Sequence, residues 1–362
     1  MTIGSRELEF SYFMMKRTTR RWGMNTMLYA AEPWAVIHGT LAGSIASNPD
    51  RKAAESFVRQ AQVYFSAADR AEAFETRPLL YYYAFLNLGK ALAMAKGRSG
   101  LVGKVSHGIA AVNSSGHAVN SAELQLQRSG SGAPSAADEL HRALEHTPVP
   151  TPQMPVRQLI AQSVVAHRLW SAAAGRKERF LAVEGVLLQH DAASKSIWAT
   201  LYVRADTMRS RKRPINETLT EGSLASDFRS VTDFTLGGVN CRSFEQSQPV
   251  TYQARASDKV MEVVATVRSV LWQTVTIQQP HRQYYLYLSP PGEQRYPQWL
   301  TIYAVLFWLG SLTRYQPVQL LEILEGPYGA FFREFLATQP TQLLYLFASE
   351  FLGQDVSRPS VV

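Results

Sequence analysis

A chain of 362 residues, 46% hydrophobic with 16 Phe, 16 Tyr and 7 Trp, can bury a large core in one or two domains, which excludes a disordered protein. Its net charge of +8 fits an anionic partner (nucleic acid, membrane surface or acidic protein) or an ordinary basic surface. The single cysteine, Cys241, excludes an internal disulfide and fits a reducing compartment.

The N-terminus, MTIGSRELEFSYF, lacks the basic-then-apolar order of a secretory signal, so a cytoplasmic protein is expected. Residues 1–31 carry Lys16, Arg17, Arg20 and Arg21 among aromatic and Met residues, as a packed extension or an arm on an anionic surface. Pro33 opens a predicted helix that ends near Asn48-Pro49. From Asp50 to Ala73 the stripe Phe57, Ala61, Tyr64/Phe65 and Ala68 predicts an amphipathic helix. Thr76–Lys96 then reads as the central helix. Pro78 fits its first turn, and four of the eight residues from Leu79 to Leu86 are aromatic. It has the length of a membrane span, but Arg77, Asn87 and Lys90 would lie in or beside lipid, so a buried helix is expected.

Gly97–Pro155 is rich in Gly, Ser and Pro and reads as loops, with a helix following over 156–174. Near residue 180 the period turns from helical to alternating. RFLAVEGVLLQHD and KSIWATLYVRAD predict two strands around a turn at Asp191–Ser194, and the β-rich pattern continues to Ser289. Within it, Asp258–Val270 fits helix and strand equally. After Pro290-Pro291, helices are predicted over 296–315, 317–325, 328–337 and 342–351. The expected class is α+β. A helical part (1–175, loop-rich over 97–155) and a helical C-terminal part (291–362) pack together around a β-rich segment (176–290).

Searches for chemistry return little. The eight histidines form no HExxH or HxH and lack paired cysteines, so no metal site is expected. GRSGLVGKVSHG approaches a phosphate-cradling loop, but its glycine spacing is wrong and Val105 stands where Ser or Thr would hold magnesium. No GxSxG elbow occurs, and Arg142 and His146 are too close in sequence for a HEPN-type ribonuclease pair. Glu184, Asp191 and Lys195 leave open a nuclease or nucleotide-processing site in the β-rich segment. The run Arg204, Arg209, Arg211, Lys212, Arg213 can bind phosphates or an anionic membrane, or lie in solvent. Arg77, Asn87, Lys90 and Arg314 sit in or beside apolar helices. Buried charge must be paired, and Glu350 is a candidate partner for one of them.

These polar positions carry a family resemblance. TRPLLYYYAFLNLGKALAMAKG resembles the signature helix of the YaaC-like proteins, a Pro-Leu-Leu-Tyr-Tyr run followed by Asn-Leu-x-Lys. AQVYFSAADRAEAFE resembles the helix preceding it there, and KVSHGI the family's Ser-His-Gly segment. YAVLFWLGSLTRYQP and LLYLFASEFLGQDVSRP resemble its closing helices, so the likeness brackets residues 50–357. It implies a bacterial, cytoplasmic protein with no established enzymatic activity, catalytic set or cofactor. Some YaaC-domain proteins are encoded in antiphage systems, including the jumbo-phage-killer type, where the YaaC component recognises infection and works with a second, effector protein. By this resemblance the expected function is a non-enzymatic sensor or adaptor recruiting a partner effector. Its trigger would be an infection-derived structure, such as an anionic membrane or a fatty acyl chain, ahead of nucleic acid. The residues carried over are Arg77, Pro78, Tyr82, Asn87, Lys90, His107, Arg314, Tyr315 and Glu350.

Overall fold

The computed structural model describes residues 2–3, 6–7, 10–13, 27–112, 118–130, 132–150, 153–209, 226–278, 281–290 and 292–359. Strands β1 (Thr2–Ile3), β2 (Arg6–Glu7) and β3 (Leu28–Tyr29) precede helices α1 (Pro33–Ser44), α2 (Asn48–Arg70) and α3 (Arg77–Ala95). Next come β4 (Ile109–Ala111), β5 (Glu123–Leu126), α4 (Ala136–Glu145), β6 (Gln153–Pro155), α5 (Val156–Ala161) and α6 (His167–Ala174). The β-rich stretch holds β7 (Phe180–Asp191), β8 (Ser196–Arg204), α7 (Ala205–Arg209), β9 (Phe228–Leu236), β10 (Val239–Gln246) and β11 (Val250–Thr251). It closes with α8 (Val260–Val270), β12 (Leu271–Val275) and β13 (Arg282–Tyr287). Helices α9 (Gln298–Tyr315), α10 (Pro317–Glu325) and α11 (Gly329–Leu352) lead to β14 (Val356–Ser357). The fold is α+β.

Two compact units divide the chain. One comprises Met1–Tyr29, Glu178–Pro297 and Gly353–Val362; the other comprises Ala30–Lys177 and Gln298–Leu352. In the first, a seven-stranded sheet runs β12-β13-β7-β8-β10-β9, with β11 pairing the start of β8 at Ser196 and Ile197. Every pairing within it is antiparallel. Leu181, Val183, Leu201, Val203 and Phe244 from the strands pack with Val263, Val264, Val267 and Val270 of α8. Those valines recur every three or four residues, which is why 260–270 is helical although β-branched. At Leu271 the same apolar run becomes a fully buried strand.

The second unit is helical, with a small β4-β5-β6 sheet. Ser47 caps α2 by accepting from the Asp50 N–H, and Ala54, Val58, Ala61, Phe65 and Ala68 form its buried stripe. α3 lies against it in antiparallel register. Tyr64 meets Tyr83 with ring centroids 5.8 Å apart, Asn87 Nδ2 donates to Gln60 Oε1 at 3.3 Å, and Lys90 Nζ lies 5.2 Å from the Phe57 ring centre. The other side of α3 meets α9 at Gly310, where a Cβ would stand only 3.3 Å from Leu79 Cα. The missing side chain lets the two backbones approach.

Three expected stretches differ. Gly97–Pro155, read as loops, carries helix α4, capped by Ser135, and the strands β4, β5 and β6. The 156–174 helix is two helices, because the Gln162 and Ser163 amides bond back three residues, to Leu159 and Ile160, and end α5. The separate helices over 328–337 and 342–351 are one, α11, with Pro340 inside it. Buried Phe331, Phe332, Phe335, Leu343, Leu344 and Phe347 flank that proline, so packing outweighs the lost backbone bond. Among the described residues no helix is long and apolar enough to cross a membrane.

Candidate functional site

The site is built in the helical unit around α3. Tyr82 is fully buried against α9, with ring centroids 5.6 Å from Tyr303 and 5.3 Å from Phe307. Its hydroxyl shares a 2.9 Å hydrogen bond with His107 Nδ1. Burial, reinforced by the Tyr303 hydroxyl, raises the Tyr82 pKa far above the ordinary phenol range, so it stays protonated.

Backbone geometry fixes His107. Ser106 donates its N–H to Pro134 O and accepts from the Ala136 N–H, which ties the segment to the start of α4. Gly108 then turns with φ +78°, and a Cβ there would fall 2.0 Å from Ser135 Oγ. Only glycine suits that position, and the turn holds the imidazole against Tyr82 and edge-on to Tyr83, centroids 6.2 Å apart.

Two further cations act on this imidazole. Arg314, in the last turn of α9, donates from Nη1 to Tyr83 Oη at 3.0 Å. Its guanidinium carbon lies 5.7 Å from the Tyr83 ring centre and 4.9 Å from that of Tyr315. Lys90 sits two helical turns after Tyr83 on the same face of α3. The His107 pKa is lowered by burial, then by the positive charges of Arg314 and Lys90. Burial also lowers the Lys90 pKa. Among the described residues no carboxylate lies within 4.0 Å of Arg314 or Lys90. Arg314 Nε is buried without a hydrogen bond. The arrangement is a half-buried cationic patch with aromatic walls, and its chemistry suits an anion.

Of the residues the resemblance singled out, Tyr82, Lys90, His107, Arg314 and Tyr315 belong to this patch. The others serve elsewhere. Arg77 donates to Ala71 O from Nε at 3.2 Å and Nη2 at 3.0 Å, closing the end of α2. Asn87 tethers α3 to Gln60, and Pro78 is buried in the first turn of α3. Glu350, expected to neutralise one of the polar helix residues, pairs with Lys96 at 3.4 Å, beyond the C-terminal end of α3. Tyr83 and Tyr303 complete the patch and were not singled out. The seven-residue interval from Tyr83 to Lys90 marks a shared helix face, but nothing in the sequence says which face meets the histidine loop.

Arg211, Lys212 and Arg213 lie outside the described residues, as do Lys16, Arg17, Arg20 and Arg21; Arg209 ends α7. The Gly97–Lys104 stretch follows a helix and precedes a strand, the reverse of a phosphate-cradling loop. Glu184 and Asp191 stand seven residues apart along β7, about 23 Å at strand rise. Asp191 Oδ1 accepts from the Ala193 N–H at 2.9 Å and Oδ2 from the Ser194 N–H at 3.3 Å, shaping the β7–β8 turn, while Glu184 lies 3.8 Å from Arg204. The two carboxylates do not converge. No cluster of three or more metal-ligating side chains occurs among the described residues.

A mostly helical unit carrying this patch and a second unit built on an antiparallel sheet define a two-unit α+β protein. The profile of the YaaC-like Protein family matches residues 11–351, nearly the whole chain, and the chain belongs to that family. No curated protein and no solved structure matches it.

Proposed function

We propose that the protein is a non-enzymatic sensor or adaptor of bacterial antiphage defence, acting in the cytoplasm. It recognises an anionic structure produced by infection and recruits a partner effector. The observation supporting this reading is the patch of Lys90, His107 and Arg314, which gathers positive charge without a carboxylate partner among the described residues. Positive charge held half-buried and uncompensated is costly to the fold, and an anionic ligand would relieve that cost. A protein whose bound state is stabilised in this way shifts its population when the ligand arrives, which is the requirement of a sensor.

The test is capture with tagged full-length protein before and shortly after phage infection, comparing wild type with Arg314→Gln. A partner retained only after infection, and lost in the variant, is the expected result. Identical captures in both states would overturn the reading.

A further inference from the structure

We propose that Lys90, His107 and Arg314 form a binding site for a phosphoryl group, carried either by a small molecule or by a lipid headgroup. This deepens the sensor reading by naming the chemistry of its trigger. The argument starts from unused donors. Arg314 spends Nη1 on Tyr83 while its Nε is buried without a partner. Lys90 makes no hydrogen bond to any described residue, since its contact is the face of Phe57. His107 spends Nδ1 on Tyr82, and its Nε2 makes no hydrogen bond to a described residue. These donors come from two helices and a loop that packing and the Gly108 turn hold in place.

The count and spread of donors select the ligand. A carboxylate has two oxygens and one charge, and a single guanidinium fork satisfies it. Two cationic side chains and an imidazole on separate elements suit a group with three oxygens and up to two negative charges. Arginine supplies the planar fork and lysine the point charge, a pairing that recurs in phosphate recognition.

Binding also shifts a protonation equilibrium. Tyr82, Tyr83 and Lys90 of α3 and Arg314 of α9 face His107, and burial, followed by the two cations, lowers its pKa. A phosphoryl dianion reverses that field and favours the protonated imidazole in the bound state.

The experiment is calorimetric titration of the full-length protein with inorganic phosphate and glycerol phosphate, with acetate at matched ionic strength. Co-sedimentation with phosphatidic acid and phosphatidylcholine vesicles runs beside it. Saturable binding of the free phosphates assigns a soluble ligand; retention on phosphatidic acid vesicles alone assigns a headgroup. Either supports the site. Repeating the titration in buffers of different ionisation enthalpy reads any proton uptake. Arg314→Gln and Lys90→Met are each expected to weaken binding about tenfold or more, the loss of one charge-assisted hydrogen bond, while the exposed Lys52→Gln changes nothing. Lys90→Met keeps an apolar stem over Phe57, so it tests the site if Arg314→Gln fails to fold. Acetate matching phosphate, binding of neither phosphates nor vesicles, or loss of binding in Lys52→Gln alike would overturn the proposal. Phosphate binding without infection-dependent capture would end the sensor reading and leave this site standing. Capture without phosphate binding would do the reverse.

Discussion

Gly108 has no space for a side chain: a Cβ would meet Ser135 Oγ at 2.0 Å and the Ala137 nitrogen at 3.0 Å, and the backbone is left-handed. Gly108→Ala must therefore push the Ser106–His107 segment off α4, breaking the bonds that hold the imidazole. The expected cost is about 2 kcal/mol or more, from left-handed strain plus the clash. Urea denaturation reads the stability, and an unchanged midpoint would show that the loop tolerates rearrangement. His107 itself makes stability depend on pH. Its folded pKa lies below the unfolded value, so between the two the unfolded chain binds more protons. Its contribution is complete above the unfolded pKa of about 6.5 and is lost as pH falls through the window down to the folded value. Facing it are Tyr82, which burial keeps protonated, Tyr83, Lys90 and Arg314. Wild type is expected to lose more stability than His107→Gln between pH 8 and pH 5, measured as the shift in urea midpoint. Equal losses would mean that other groups dominate.

At the scale of elements, the meeting of α3 and α9 depends on one residue of zero bulk. A Cβ at Gly310 would stand 3.3 Å from Leu79 Cα and 3.5 Å from Tyr82 Cβ, and both neighbours are parts of α3 that cannot swing away. Gly310→Val is expected to separate the helices and destabilise the protein by about 1–3 kcal/mol, the range for overpacking a close contact. It would also displace Arg314 from Tyr83, so the thermal midpoint and any phosphate affinity should fall together. A variant as stable as wild type would show that α9 can shift without loss. Most elements here were legible in the sequence, because the apolar spacing of Ala54 to Ala68 and the alternation along β7 and β8 are local signals. The single long helix over Pro340 was not. A proline reads as a stop unless packing on both sides is known, and that packing comes from residues distant in the chain. The same limit applies to the patch. Lys90 and Arg314 stand out as charges in apolar helices, but their nearness to His107 depends on a turn and a helix crossing that no local pattern records.

Over the whole molecule, the helical unit is assembled from two stretches separated by about a third of the chain, Ala30–Lys177 and Gln298–Leu352. Long-range bonds join them. Thr313 Oγ1 donates to Glu75 O at 3.1 Å, Trp299 Nε1 to Glu145 Oε1 at 2.9 Å, and Tyr345 Oη to Ala30 O at 2.9 Å. A helical unit of local contacts would fold early, but this one waits for residues that emerge about a third of this chain later during synthesis. Until α9 arrives, Tyr82 has no Tyr303 or Phe307 to pack against, and the apolar α9-facing side of α3 stays exposed to water. A chain ending at Pro297 is therefore expected to leave the α3 amides without slow hydrogen exchange and to aggregate from the helical unit. Supplying residues 298–362 as a second polypeptide during refolding should restore part of the protection, since the burial of Tyr82 and Phe85 drives the docking. Hydrogen exchange by mass spectrometry over peptides from α3 makes the comparison directly. Full protection of α3 in the truncated chain would mean that its pairing with α2 is sufficient, and that the closing helices complete the cationic patch without supporting the fold.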